Sequence, residues 1–167
     1  MGKHVGKQSV RFTEKPLLES FASVAGKKEG EGPLAEWFDH VETDTRFGQT
    51  SWEKAESEMQ SKALEIARGK IGVQNEDIDL LFAGDLLNQC IGSSFCQRGT
   101  KIPYLGLYGA CSTMAESLFL AGMAVDGGYA RRAAAITSSH FAGAERQYRF
   151  PLSYGGQRTP TAQWTVT

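Results

Sequence analysis

The sequence has no excess of charge of either sign. Its 18 Lys and Arg against 19 Asp and Glu leave a formal net charge of −1 over 167 residues. Nothing here supports nucleic-acid binding, and no acidic tail points to a solvated arm. The Arg131-Arg132 pair is too short to make a basic patch. Cysteine is scarce: Cys90, Cys96 and Cys111 form an odd set with no framework, which fits a reducing compartment. Cys90 and Cys96 are not at zinc spacing and read as small apolar packing residues. The three histidines, His4, His40 and His140, are far apart and make no His-x-x-x-His pair. The N-terminal Met-Gly-Lys-His-Val-Gly-Lys has no apolar core, so it is not read as a signal peptide. The richest apolar stretch, around Leu118 to Val125, is too short to span a bilayer. Repeats and low-complexity segments are absent.

What remains is an ordinary globular composition of a length that suits one domain or part of a larger one. Alternation and β-branched content predict a first strand over Ser9–Thr13. Ala25–Pro33, rich in Gly and charge, reads as a loop, and Leu34–Phe38 as a helical turn. A helix opens at Thr50, where Thr50 and Glu53 match a capping box. Its apolar positions are Trp52, Ala55, Met59, Ala63, Ile66 and Ala67, and it closes at Gly72 after Arg68 and Lys70. Asp79–Gly84 reads as a buried strand, Ile91–Arg98 as a weak helix and Tyr104–Tyr108 as a second core strand. Cys111 to Asp126 is a helix apolar nearly all round, stopped by Gly127-Gly128. Arg132–Ser138 and Gln163–Thr167 read as further strands. Strands alternating with helices give an α/β fold with a mostly parallel sheet.

An all-apolar helix must be covered on more than one side. Exposing Leu118, Phe119 or Met123 would forfeit about 1.5–3 kcal/mol each. The expectation is a missing second half of the fold or a second subunit over this helix.

Chemistry concentrates where strands meet helices. Tyr104 to Thr113 reads Tyr-Leu-Gly-Leu-Tyr-Gly-Ala-Cys-Ser-Thr: a strand, a small-residue bend and a helix, with Cys111 at the bend. A group placed at a helix N-terminus sits among unpaired N–H groups that favour negative charge. Asp85 follows a core strand directly, and open parallel sheets bind ligands at those carboxyl ends. Two readings of Asp85 stand side by side: a turn-former or helix cap, or a pocket-wall group that accepts or donates a hydrogen bond or helps hold a cation such as calcium. Asn88, one turn on, offers an amide. Ser138, Ser139 and His140 end another strand, as pocket donors or as a solvated strand end. Arg146 and Arg149 fall in what reads as the following loop.

These residues, in order, resemble a known family. The Ile-Asp-Leu-Leu strand, the Gly-Ala-Cys-Ser elbow, the buried small-residue helix and the Ala-rich strand look like the N-terminal half of a thiolase or ketoacyl-synthase fold. Six segments narrow the match: Gly84–Gln89, Gly109–Thr113, Val125–Gly128, Thr137–His140, Ala144–Gln147 and Tyr154–Gln157. Together they resemble the stage V sporulation protein AD family of endospore formers, from Gly6 onward.

The resemblance implies a thiolase-like α/β fold. Residues 1–167 would be its N-terminal half-domain, with the C-terminal half absent from this chain. It also implies a non-catalytic protein that binds dipicolinic acid, with calcium, and serves its uptake into the developing spore. The ligand-binding set would be Asp85, Asn88, Cys111, Ser112, Ser139 and His140. No resident cofactor is implied, and calcium enters only with dipicolinate. Partners would be dipicolinate, other stage V sporulation membrane proteins and either a second copy or the missing half, with no nucleic acid. The location would be the forespore, peripheral to the inner spore membrane. The alternative is a condensing enzyme or acyltransferase in which Cys111 attacks an acyl thioester. The histidines that assist such a cysteine lie in the second half of that fold, and nothing in the sequence shows His140 reaching Cys111.

Overall fold

The computed structural model describes residues 3–148, with side chains to residue 144. The expected strand at Gln163–Thr167, the Tyr154–Gln157 segment and Arg149 lie outside the described residues. The chain begins with a two-stranded antiparallel hairpin, β1 (His4–Val5) and β2 (Ser9–Val10). The strand expected over Ser9–Thr13 is therefore shorter and never joins the main sheet. Phe12 packs instead on the longest apolar helix, stacking on Phe119 at 6.0 Å with its ring against Gly122.

The Gly-rich segment expected to be a loop contains β3 (Val24–Gly26) and one helical turn, α1 (Lys27–Gly30). β3 pairs in parallel with β4 (His40–Glu42). This pairing partner is 16 residues away in register, Val24 to His40, which is why local composition hid the strand. The turn expected near Leu34–Phe38 is present over Ala35–Trp37.

α2 (Trp52–Ile71) begins one residue later than the capping-box reading. Ser51 is the N-cap, and its Oγ accepts from the Lys54 amide at 3.3 Å. Gly72 ends it with φ +68°, the left-handed conformation that a Cβ would strain. The residues buried on α2 are Ala55, Glu56, Gln60 and Leu64. The helix thus buries a stripe at steps of four in which two of three members are polar.

The core sheet has three parallel strands, β5 (Leu80–Gly84), β6 (Tyr104–Leu107) and β7 (Ala133–Thr137), in the order β6-β5-β7. Between β5 and β6 lies α3 (Ile91–Gln97); between β6 and β7 lies α4 (Thr113–Asp126). Side chains alternate along β5 as a strand requires. Leu81 and Ala83 pack with Leu64, Ile78, Ile102 and Ile136 on the α2 side. Phe82 packs with Ala121, Ala124 and Ala130 on the α4 side. This is the expected α/β architecture, with helices on both faces of a parallel sheet. After β7 comes α5 (Phe141–Tyr148). Arg146 therefore belongs to a helix and not to a loop.

α4 meets the sheet through small residues, which lets helix and sheet approach closely. Its opposite side presents Met114, Leu118, Phe119 and Met123, all exposed. At its C-terminal end Asp126 is buried and accepts from the Thr13 and Glu14 amides, and it pairs with Lys3. Those partners tie the N-terminal segment along α4 and hold the Asp126 carboxyl below its usual range, Lys3 contributing most.

Candidate functional site

The register of the sheet lines up three strand ends. Gly84 is opposite both Leu107 and Thr137, so the segments after β5, β6 and β7 leave the sheet from one edge. That edge gathers Asp85 and Asn88 after β5, Cys111 and Ser112 after β6, and Ser138 to His140 after β7. Residues spread over more than fifty positions in sequence become one rim.

The elbow after β6 is built from short polar contacts. Ala110 has φ +50°, which costs on the order of 1 kcal/mol for a residue with a Cβ. A turn of 3₁₀ helix over Ala110–Ser112 leads into α4. Ser112 Oγ donates to the Gly109 carbonyl at 2.7 Å, and the Gly109 amide donates to Thr113 Oγ1 at 3.2 Å. Glu116 reaches back over this turn: a Cβ on Gly109 would lie 2.5 Å from its Oε2. A carboxylate there complements the helix N-terminus. Gly84 holds β5 against the same elbow. A Cβ on it would collide with the Leu107 carbonyl oxygen and come within 2.6 Å of Thr113 Cγ2. Cys111 and Ser112 sit exposed on the outside of this bend.

Asn88 is exposed, and its Oδ1 accepts from the Tyr108 hydroxyl at 3.4 Å. This contact joins the loop after β5 to the elbow after β6. Tyr108 is a rim residue that the sequence reading missed. Ser139 is exposed on the third segment.

Two of the expected rim groups point elsewhere. Asp85 is 1% exposed. Its Oδ1 accepts from the Leu87 amide at 2.8 Å, and its Oδ2 accepts from the Ser93 amide at 2.7 Å and from Ser93 Oγ at 2.6 Å. The carboxylate is consumed in holding the β5–α3 loop and the first turn of α3. Of the two sequence readings, the geometry is that of the turn-and-helix cap; Asp85 lies beneath the rim and shares no opening with Cys111. His140 is also buried. Its Nε2 donates to the Thr45 carbonyl at 2.7 Å, and its ring lies 5.4 Å from that of Trp52. The imidazole is thus engaged with the loop after β4 and not with the elbow.

The other cysteines behave as packing residues. Cys90 Sγ donates to the Leu107 carbonyl at 3.0 Å, and Cys96 lies against Ser61 Oγ at 3.4 Å. Burial pushes both thiols above their usual range. A shallow, open groove lies between α3 and β6, lined by Ser94, Phe95, Arg98, Lys101 and Tyr104 among others. It includes none of the rim residues. Among the described residues no group of three or more His, Cys, Asp and Glu is placed to hold a metal ion, and no helix is long and apolar enough to cross a membrane.

Comparison with known proteins agrees with the ordered segments in the sequence. The family model for stage V sporulation protein AD matches residues 6–167. Stage V sporulation protein AD of Bacillus subtilis (strain 168) is 46% identical over 165 residues, covering 99% of this chain and 49% of that protein. The chain spans about half the length of this curated relative. On a match that covers nearly every residue, this chain belongs to the stage V sporulation protein AD family.

Proposed function

We propose that the chain supplies one wall of a non-catalytic binding site for dipicolinate, and that its role is dipicolinate uptake into the developing spore. The observation that supports this reading is the single rim formed by Asn88, Tyr108, Cys111, Ser112 and Ser139 at the carboxyl edge of three parallel strands. Dipicolinate is a flat ring with two carboxylates. The Asn88 amide and the Ser139 hydroxyl are donors that suit such a ligand, and the Tyr108 and Ser112 hydroxyls join them by turning from Asn88 Oδ1 and the Gly109 carbonyl. Calcium would arrive with the ligand. Asp85 and His140 support the rim from below. The exposed Met114, Leu118, Phe119 and Met123 on α4 support the further expectation that a second half or a second copy packs there. Association with other stage V sporulation membrane proteins at the inner spore membrane belongs to the same proposal.

Calorimetry of the full-length protein with dipicolinate, with and without calcium, tests it. Binding is expected, and Cys111→Ala or Ser139→Ala should weaken it roughly tenfold, about 1.4 kcal/mol. No heat at millimolar ligand would remove the proposal. The second reading, acyl transfer through Cys111, is favoured only by the exposure of that thiol at the elbow. It requires an acyl adduct on Cys111 after incubation with acyl-CoA, visible in the intact mass.

A further inference from the structure

Beneath the rim lies a buried polar cluster that the binding site does not use. Glu56 and Gln60 stand one turn apart on α2, 0% and 1% exposed. The Gln60 side-chain nitrogen donates to Ser93 Oγ at 2.9 Å and to Ser138 Oγ at 2.7 Å. Each hydroxyl then donates to a carboxyl group: Ser93 to Asp85 at 2.6 Å, Ser138 to Glu56 Oε1 at 2.8 Å. One amide therefore orients two hydroxyls toward two acids.

The two acids differ in their partners. Asp85 is fully engaged by backbone and hydroxyl donors. Glu56 Oε2 has no hydrogen-bond partner and lies beside α5, 3.6 Å from where a Cβ on Gly143 would stand. Both acids crowd Gly92 of α3, where a Cβ would meet Asp85 Cγ and Glu56 Cγ at 3.2 Å.

The charges around Glu56 are mostly of its own sign. Asp85 faces it across Gly92, and Glu53 precedes it on α2. The Ser138 hydroxyl and the His140 amide approach from the segment after β7. β5, β7 and α3 bring no charged residue of their own. α5 contains Glu145 and Arg146, whose side chains are outside the described set. Among the described residues no ion pair includes Glu56. Burial, opposed by the Ser138 hydrogen bond and reinforced by the Asp85 charge, pushes its carboxyl up to about 7.

We propose that Glu56 is a proton-linked positioning residue for the rim: neutral, it seats the segment from Ser138 to Gly143 on α2, and ionised, it releases that segment. Ionisation places a second negative charge beside Asp85 with no cation paired to it among the described residues, so the carboxylate gains by reaching water. Water reaches it only if the covering segment lifts. Ser139 moves with that segment, as does His140, whose ring contact with Trp52 reports the movement. A matching change in dipicolinate affinity rests on the binding reading given above; the movement itself does not.

Trp52 fluorescence tests the link without ligand. In the full chain carrying Trp37→Phe and Trp164→Phe, Trp52 is the sole indole. One transition is expected near neutral pH, and Glu56→Gln should abolish it and keep the low-pH signal throughout. A transition that persists in Glu56→Gln, or none in the parent, overturns the proposal. Should Glu56→Gln not fold, amide hydrogen exchange of residues 138–144 in the parent decides. An opening constant, taken relative to the intrinsic amide rate, that rises about tenfold per pH unit between about 4.5 and 7 and levels off above supports the link, and an opening constant independent of pH overturns it. Dipicolinate titrations at pH 6 and 8 separate the two readings. Equal affinities beside an intact fluorescence transition count against ligand contact by Ser139 and leave the proton link standing.

Discussion

Replacing Glu56 by Gln is expected to stabilise the protein relative to the parent by about 3 kcal/mol more at pH 8 than at pH 4. The carboxyl titrates near its ordinary 4.5 in the unfolded chain and at about 7 in the folded one. Between those values the folded state holds a proton that the unfolded state has released. Stability from this group is therefore full below pH 4.5 and is lost as pH rises toward 7. Gln cannot ionise, so the variant escapes that loss. Its amide oxygen still accepts from Ser138 Oγ, which keeps the 2.8 Å contact chemically intact. Urea unfolding of both proteins at the two pH values gives the difference directly. Parallel pH dependence would mean that the buried carboxyl is not held neutral.

Asp85→Ala is expected to cost on the order of 3–5 kcal/mol, lowering the melting temperature by roughly 10 °C. The side chain accepts from two backbone amides and one hydroxyl in a site that water does not reach. Removing it strands all three donors, and each buried unsatisfied group costs about 1–3 kcal/mol. Asp85→Asn keeps one acceptor oxygen and should lose roughly half as much. Thermal and urea unfolding measure the effect. A variant of normal stability that has lost only ligand binding would place the carboxylate in the binding site and not beneath it.

Much of this fold is legible in the sequence because its signals are local. The close of α2 at Gly72, the buried strand β5, the strand β7 and the elbow at Cys111 each announce themselves within a few residues. The parallel sheet then follows from alternation of strands and helices, and it carries the rim with it. What the sequence hides depends on partners far along the chain. β3 is a strand because Val24 meets His40, and its Gly-rich surroundings say otherwise. Asn88 and Tyr108 touch across 20 residues. The polar stripe on α2 is the clearest case. A search for apolar periodicity finds Ala55 and Ala63 and passes over Glu56 and Gln60, whose burial is made tolerable by Ser93, Ser138 and the Gly84 carbonyl. Polar residues four apart in line with Leu64 were the available signal. For Asp85 both readings were open from sequence, and geometry chose between them: a short acid directly after a strand found its donors within eight residues.

The central claim is that Cys111 lies at the mouth of a dipicolinate site. Alkylation of the full-length native protein tests it directly. Cys90 and Cys96 are buried with their thiols pushed up, whereas Cys111 is exposed. Iodoacetamide should therefore label Cys111 first among these three. Saturating dipicolinate is expected to slow that labelling at least about tenfold, since a bound ligand excludes the reagent from the elbow. A labelling rate at Cys111 unchanged by dipicolinate would contradict the account.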